Sequence, residues 1–274
     1  MKVTALLENN ALSSQYDSKH GLSIHIKTEK HNMLFDVGPN DLFIKNAIKL
    51  NIDISEVDIV VISHGHKDHG GGLKEFLKVN DKAKIYIHKN AFDKYYTNVL
   101  GLFKYYIGLD SKLRESDRII LVDDIYKIDD ELIIFNKINS NKMLPTSNKR
   151  LYVKEEKLFI RDNFNHEQNL IITSNNKSYL FAGCAHRGIV NILEQAEDIT
   201  KKNIDFAIGG FHLYNPVHSK CVNVELINNI GKYLSGKKSI YYTCHCTGEK
   251  AYEQLKGILH DQINYLCSGQ AISI

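Results

Sequence analysis

His64-Gly65-His66-Lys67-Asp68-His69 places four metal-capable side chains within six residues, immediately after the apolar run Val57-Asp58-Ile59-Val60-Val61-Ile62. The run reads as a buried strand, and Gly65 lets the chain turn tightly at its exit. A strand end followed by such a loop can aim several donors at one point. Three imidazoles and a carboxylate crowded together would be costly to bury unless a cation holds them.

Imidazole nitrogens with a carboxylate oxygen suit Zn²⁺ first, then Fe or Mn, rather than the all-oxygen surroundings that Ca²⁺ and Mg²⁺ prefer. His64 and His66 share a parity that lets both point one way, whereas Asp68 and His69 follow after the chain has turned. The spacing therefore predicts two neighbouring metals, each needing ligands from elsewhere. Three other apolar runs end in a similar way. Ser178 to Gly183 empties into Cys184-Ala185-His186-Arg187-Gly188, Ile204 to Ile208 into Gly209-Gly210-Phe211-His212, and Ser239 to Thr243 into Cys244-His245-Cys246-Thr247-Gly248.

The segment His64 to His69 resembles the H-x-H-x-D-H signature of the metallo-β-lactamase fold superfamily, and Met33-Leu34-Phe35-Asp36-Val37-Gly38 resembles that fold's early strand ending in Asp and Gly. The segments Gly183 to Asn191, Gly209 to His212 and His245 to Gly248 are similar to one branch. That branch is labelled as resembling the methanopterin-pathway 7,8-dihydropterin-6-methyl-4-(β-D-ribofuranosyl)aminobenzene-5'-phosphate synthase. The resemblance implies that His64 and His66 hold a first metal, and that Asp68, His69 and His245 hold a second. Cys184 stands where relatives usually place a bridging Asp, so its thiolate would bridge or it would only pack, and His186 is expected to ligate the first metal in either case. His166 is the candidate for the superfamily's further upstream His, and His212 is expected to face the substrate.

Along the chain, strands are expected at Val3 to Leu7, Leu22 to Lys27, Asn32 to Phe35 and Lys84 to Ile87, with helices near Asp41 to Leu50, Gly71 to Leu77, 188 to 199 and 221 to 234. Two strand-and-helix halves fit an α/β fold, a four-layer αββα sandwich, read as one domain over 1–274. Between about Asn90 and Pro145 a Tyr-rich stretch reads as a helical insertion over the active-site mouth. Its aromatics would line a pocket or serve a homodimer contact.

The chain is 43% hydrophobic and 24% charged with a net charge of +3, an ordinary globular composition. It has no Lys/Arg blocks of the kind that grip nucleic acid, and no apolar stretch long enough for a membrane span. Five cysteines without a secretory segment are expected to be reduced thiols in a cytoplasmic protein. Cys244 and Cys246 flank His245, and strand alternation would turn both away from it as packing residues. His20, His31, His88 and His260 stand outside any such crowded cluster and are expected to be ordinary surface or core histidines.

The expected function is a dinuclear metal-dependent hydrolase in which a metal-held hydroxide attacks a small anionic ester or phosphoester. Asp68 would ligate and orient that nucleophile, and His212 would give a proton to the leaving group. The backbone near Gly209-Gly210, with Lys67 and Arg187, would assist an anionic substrate. Two other readings stand beside it: a metal-assisted condensation on a phosphorylated ribosyl-arylamine, and an iron-loaded oxidoreductase or sensor.

Overall fold

Short runs that are apolar on both faces form the buried centres of two sheets in the computed structural model, which describes residues 1–215, 220–221 and 223–274. The first sheet has seven strands in the order Ala271–Ser273, Lys2–Leu7, Ser23–Lys27, Asn32–Phe35, Ile59–Ile62, Lys84–His88 and Ile119–Val122. The second has seven in the order Ile263–Tyr265, Ile240–Thr243, Phe206–Gly209, Lys177–Ala182, Asn169–Ser174, Leu132–Phe135 and Ile125–Lys127. In each sheet the central strands run parallel, Asn32–Phe35 to Lys84–His88 in one and Lys177–Ala182 to Ile240–Thr243 in the other. Loops after parallel strands are where α/β sheets place their ligands.

Both sheets bury one face against each other through Ile24, Phe35, Val61, Leu170, Phe181 and Ile208. Phe35 and Phe181 meet across that seam with ring centroids 5.9 Å apart. Burying each such ring stabilises the fold by roughly 1.5–3 kcal/mol. Helices Leu42–Lys49 and Leu73–Val79 cover the outside of the first sheet with Phe43, Ala47, Leu73 and Phe76. The second sheet is covered by Ile189–Thr200, Val224–Ser235 and Glu249–Leu259. In Ile189–Thr200 the buried Ile189, Ile192, Leu193 and Ala196 fall at helical spacing, so one stripe faces the sheet. The αββα layering expected from the sequence is present. The last of the expected helices near 221 begins at Val224, and the Cys221 side chain lies outside the described residues.

The Tyr-rich stretch is β rather than helical. Tyr95–Val99 and Phe103–Tyr106 form a hairpin whose turn places Leu100 and Gly101 at φ of 52° and 76°. With Leu151–Glu155 and Leu158–Arg161 it makes a separate four-stranded sheet over the mouth, while Ile119 to Phe135 returns three strands to the sandwich. Tyr, Phe, Thr and Val favour a pleated, half-buried surface, which accounts for strands where a helical insertion is expected.

Candidate metal centre

His69 is the hub of the site. It is fully buried, its Nδ1 lies 2.6 Å from Asp36 Oδ2, and its Nε2 lies 3.2 Å from both His245 Nε2 and Cys184 Sγ. Asp36 follows strand Asn32–Phe35 at a φ of 61°, a strained conformation for a non-glycine residue, and accepts from the backbone N–H and hydroxyl of Ser63. Ser63 leads into His64, so one carboxylate fixes both the first strand-end loop and the orientation of His69.

The outer nitrogens settle which ring atoms are free. Ser63 donates its single hydroxyl proton to Asp36, so its oxygen accepts from His64 Nδ1 at 2.8 Å. Asn9 Oδ1 accepts from His245 Nδ1 at 2.9 Å, and Asn148 Oδ1 from His186 Nδ1 at 3.0 Å. Both amides are oriented by a second bond, Asn9 Nδ2 to the His245 carbonyl and Asn148 Nδ2 to the His186 carbonyl. With the protons on Nδ1, the Nε2 lone pairs of His64, His186 and His245 point inward. Those of His64 and His186 are only 3.4 Å apart. Bare lone pairs facing one another in a dry interior fit a cation between them.

The donor atoms fall into overlapping groups, each within 4.8 Å: His64 with His66 and His186, His64 with His69 and Cys184, Cys184 with His186 and His212, Cys184 with His245 and Cys246, and His20 with Asp68 and His245. His66 Nε2 has no protein partner. Asp68 Oδ2 lies 3.4 Å from His245 Nε2 and 3.6 Å from His69 Nε2. Imidazole, thiol and carboxylate donors together fit Zn²⁺ or iron and not an all-oxygen cation. Burial also disfavours the protonated form of the imidazoles. It holds His66 and His245 down to about 3, and His64 and His186 well below the usual range. Burial likewise opposes charge on His69, but Asp36 and Asp68 outweigh it and raise that imidazole to about 9. The Cys184 thiol is pushed far up by burial and by neighbouring Cys246.

These shifts predict how the chelated protein responds to pH. Unfolding returns His66 and His245 to about 6.5, so below that pH the unfolded chain binds more protons. Stability should fall as pH drops from about 6.5 toward 3, by up to ~1.4 kcal/mol per pH unit for each group. His69 acts oppositely: its contribution is complete below about 6.5 and is lost as pH rises through about 9. Urea unfolding of metal-stripped protein should show a maximum near pH ~6.5, and a flat profile down to pH ~4 would contradict the assignment.

Every sequence-predicted donor, His64, His66, Asp68, His69, Cys184, His186 and His245, reaches this one cluster, with His212 against His186 at a ring distance of 4.1 Å. His166 takes a different part. Its Nδ1 accepts from the Gly65 N–H at 2.9 Å, so Nε2 carries the proton and donates to Asp162 Oδ2 at 3.1 Å. Both nitrogens are used, and His166 shapes the loop rather than ligating. Arg187 does not reach the centre either, because its guanidinium donates to the carbonyls of Asn163 and Ile138. The Gly210 N–H is likewise taken, by the Gly183 carbonyl.

Several participants carried no local signal. His20, expected to be an ordinary histidine, lies with its Nε2 3.3 Å from Asp68 Oδ2. Cys246 was expected to turn away, but the strand stops at Thr243 and His245 takes a φ of 51° in a 3₁₀ turn. That turn swings the Cys246 sulfur toward the Cys184 carbonyl at 3.6 Å, while Cys244 stays in the core between the sheets. Asp162 faces both His66 and His166, and buried Glu167 accepts from the backbone N–H groups of His186 and Arg187. The described cysteines, Cys184, Cys244, Cys246 and Cys267, are free thiols.

The cluster floors a cavity of about 380 Å³. Thr97, Val99, Tyr105, Tyr106 and Leu151 from the small sheet wall one side, and His20, Lys67, Arg150 and His212 add polar groups.

Such a centre, at strand ends of an αββα sandwich, defines a class of metal-dependent enzymes, and the chain belongs to the metallo-β-lactamase superfamily. Residues 19–134 match the family model described as "Metallo-beta-lactamase superfamily". The chain is 31% identical to a Methanocaldococcus jannaschii protein named 7,8-dihydropterin-6-methyl-4-(beta-D-ribofuranosyl)-aminobenzene-5'-phosphate synthase, over 99% of this chain and 96% of that one. It is 30% identical to an uncharacterised protein of the same organism, over 91% of this chain and 92% of the other. Among solved structures it is similar to Tm1679, described as a metal-dependent hydrolase of the beta-lactamase superfamily, at a TM-score of 0.84 and 29% identity, covering 100% of this chain and 99% of that one. No helix of the described residues is long and apolar enough to cross a membrane.

Proposed function

We propose that this chain is a metal-assisted synthase that forms a C–N bond on a phosphorylated ribosyl-arylamine, using two divalent ions, zinc or iron. The observation that carries this reading is the wall of the cavity, which Tyr105 and Tyr106 line together with the donor cluster. Aromatic faces of this kind pack against planar rings, which a condensation of two ring-bearing substrates requires. Full-length similarity to the named synthase supports the same choice.

His64, His66 and His186 would hold one ion, and Asp68, His69 and His245 the other, with Cys184 between the two groups. Bound metal supplies charge neutralisation to an oxyanion leaving group. The remaining work falls to the chain. The aromatic wall stacks the arylamine so that its nitrogen attacks an activated carbon, the leaving group departs with the bonding pair, and the nitrogen sheds a proton. His212 can take that proton: burial keeps it neutral, and both of its nitrogens lack protein partners. A second reading, hydrolysis of a small anionic ester or phosphoester, is favoured by the description of Tm1679.

The test is to load purified protein with Zn²⁺ or Fe²⁺ and supply a ribosyl-arylamine 5'-phosphate with a pterin bearing an activated 6-methyl carbon. Mass spectrometry should reveal the C–N adduct. Cleavage of bis(p-nitrophenyl) phosphate with no adduct under either metal would transfer the assignment to the hydrolase.

A further inference from the structure

Several buried polar atoms of residues that line the cavity have no protein hydrogen-bond partner. Arg150 Nε and Nη1, Thr97 Oγ1 and both His212 nitrogens are buried there and unsatisfied, and all three residues line the cavity. Leaving a guanidinium in this condition is costly unless something supplies acceptors. No carboxylate among the described residues pairs with it, whereas Arg187 spends its donors on backbone carbonyls.

The position of Arg150 is also fixed from below. It ends the 3₁₀ turn Thr146–Arg150, in which Ser147 donates to the His212 carbonyl at 2.7 Å. In the same turn Asn148 bonds both the carbonyl and the Nδ1 of His186, at 2.7 and 3.0 Å. The following residue, Leu151, pairs with Thr97 across the small sheet. One short turn therefore links the backbone that carries Arg150 and the strand pair of Thr97 to His186 and His212. A planar fork of donors held this way matches a bidentate oxyanion.

We infer that Arg150, Thr97 and His212 form an oxyanion subsite, which anchors a phosphate or carboxylate substituent of the substrate at the edge of the donor cluster, where His212 adjoins His186. This rests on the reading of the cavity as the substrate site. The subsite sets which substrates are held, and Arg150 is its specificity-determining residue.

Calorimetric titration of inorganic phosphate and of acetate into metal-loaded and chelator-stripped protein tests this without turnover. Arg150→Gln should weaken binding of the preferred anion by about 10- to 100-fold in both forms, with metal content unchanged by elemental analysis. Arg150→Lys should weaken it less, and it carries the comparison if Arg150→Gln does not fold. Loss confined to phosphate marks a phosphate-bearing substrate, and loss of acetate binding marks a carboxylate. Equal affinity in wild type and both variants, or no anion binding by the wild type, overturns the subsite. A protein that forms no adduct yet loses phosphate in Arg150→Gln would sink the synthase and leave the subsite standing.

Discussion

His69→Ala should cost about 3–5 kcal/mol of stability and at least one equivalent of bound metal. The side chain is wholly buried, and its removal leaves the Asp36 carboxylate buried at the strand end without its imidazole partner. Breaking a buried charged pair from one side is among the most damaging single changes, because the orphaned group keeps its desolvation penalty. The same change removes the nitrogen that meets both His245 and Cys184. An equivalent loss of transition-state stabilisation would slow turnover by about 10³-fold. Urea unfolding and elemental analysis check the two parts separately. Wild-type stability with full metal content would show that His69 is not the hub described above.

The second large effect is purely steric. Gly209 lies in strand Phe206–Gly209 at a φ of 141°, paired with Ala182 on one side and Thr243 on the other. A Cβ built there would sit 1.7 Å from the Ala182 carbonyl oxygen and 2.8 Å from its carbon. Those atoms are backbone inside a parallel ladder, so no side chain can swing aside. Gly209→Ala combines overpacking with a conformation that L-residues avoid, for a loss of about 3–5 kcal/mol. The thermal midpoint should fall by roughly 10 °C. Gly257→Ala is the control: nothing lies within 4 Å of its added carbon inside helix Glu249–Leu259, and it should raise stability by about 0.5–1 kcal/mol. Similar midpoints for the two variants would refute the argument. Because Ala182 leads to Cys184 and Gly209 to His212, any splaying at this pair should also reduce metal content.

The parts of the site that could be read from the sequence are those whose neighbours in space are also neighbours in sequence. His64, His66, Asp68 and His69 share one loop, and each remaining predicted donor follows an apolar run that could be recognised as a strand. Arg150 and His20, which line the cavity, and Asp162, which faces His66 and His166, have no such context, since only the folded chain brings them to the site. Cys246 departs from strand alternation because a two-residue period holds only while the strand continues, and here it ends at Thr243. The mouth carries no regular period in sequence, so its Tyr-rich stretch suits an inserted helix as well as a ribbon. Partners across a sheet, Tyr95 with Val153 and Tyr96 with Tyr106, cannot be seen from one segment alone.

The small sheet over the mouth is assembled from two distant stretches, 95–106 and 151–161, and forms its own ladder apart from both sandwich sheets. The outer hairpin turns of the entrance, at Leu100-Gly101 and Glu156-Lys157, can therefore drift by substitution or lengthening while the donor cluster beneath stays as it is. Reprogramming this protein toward a new compound would begin at that awning, with the hardware beneath left alone.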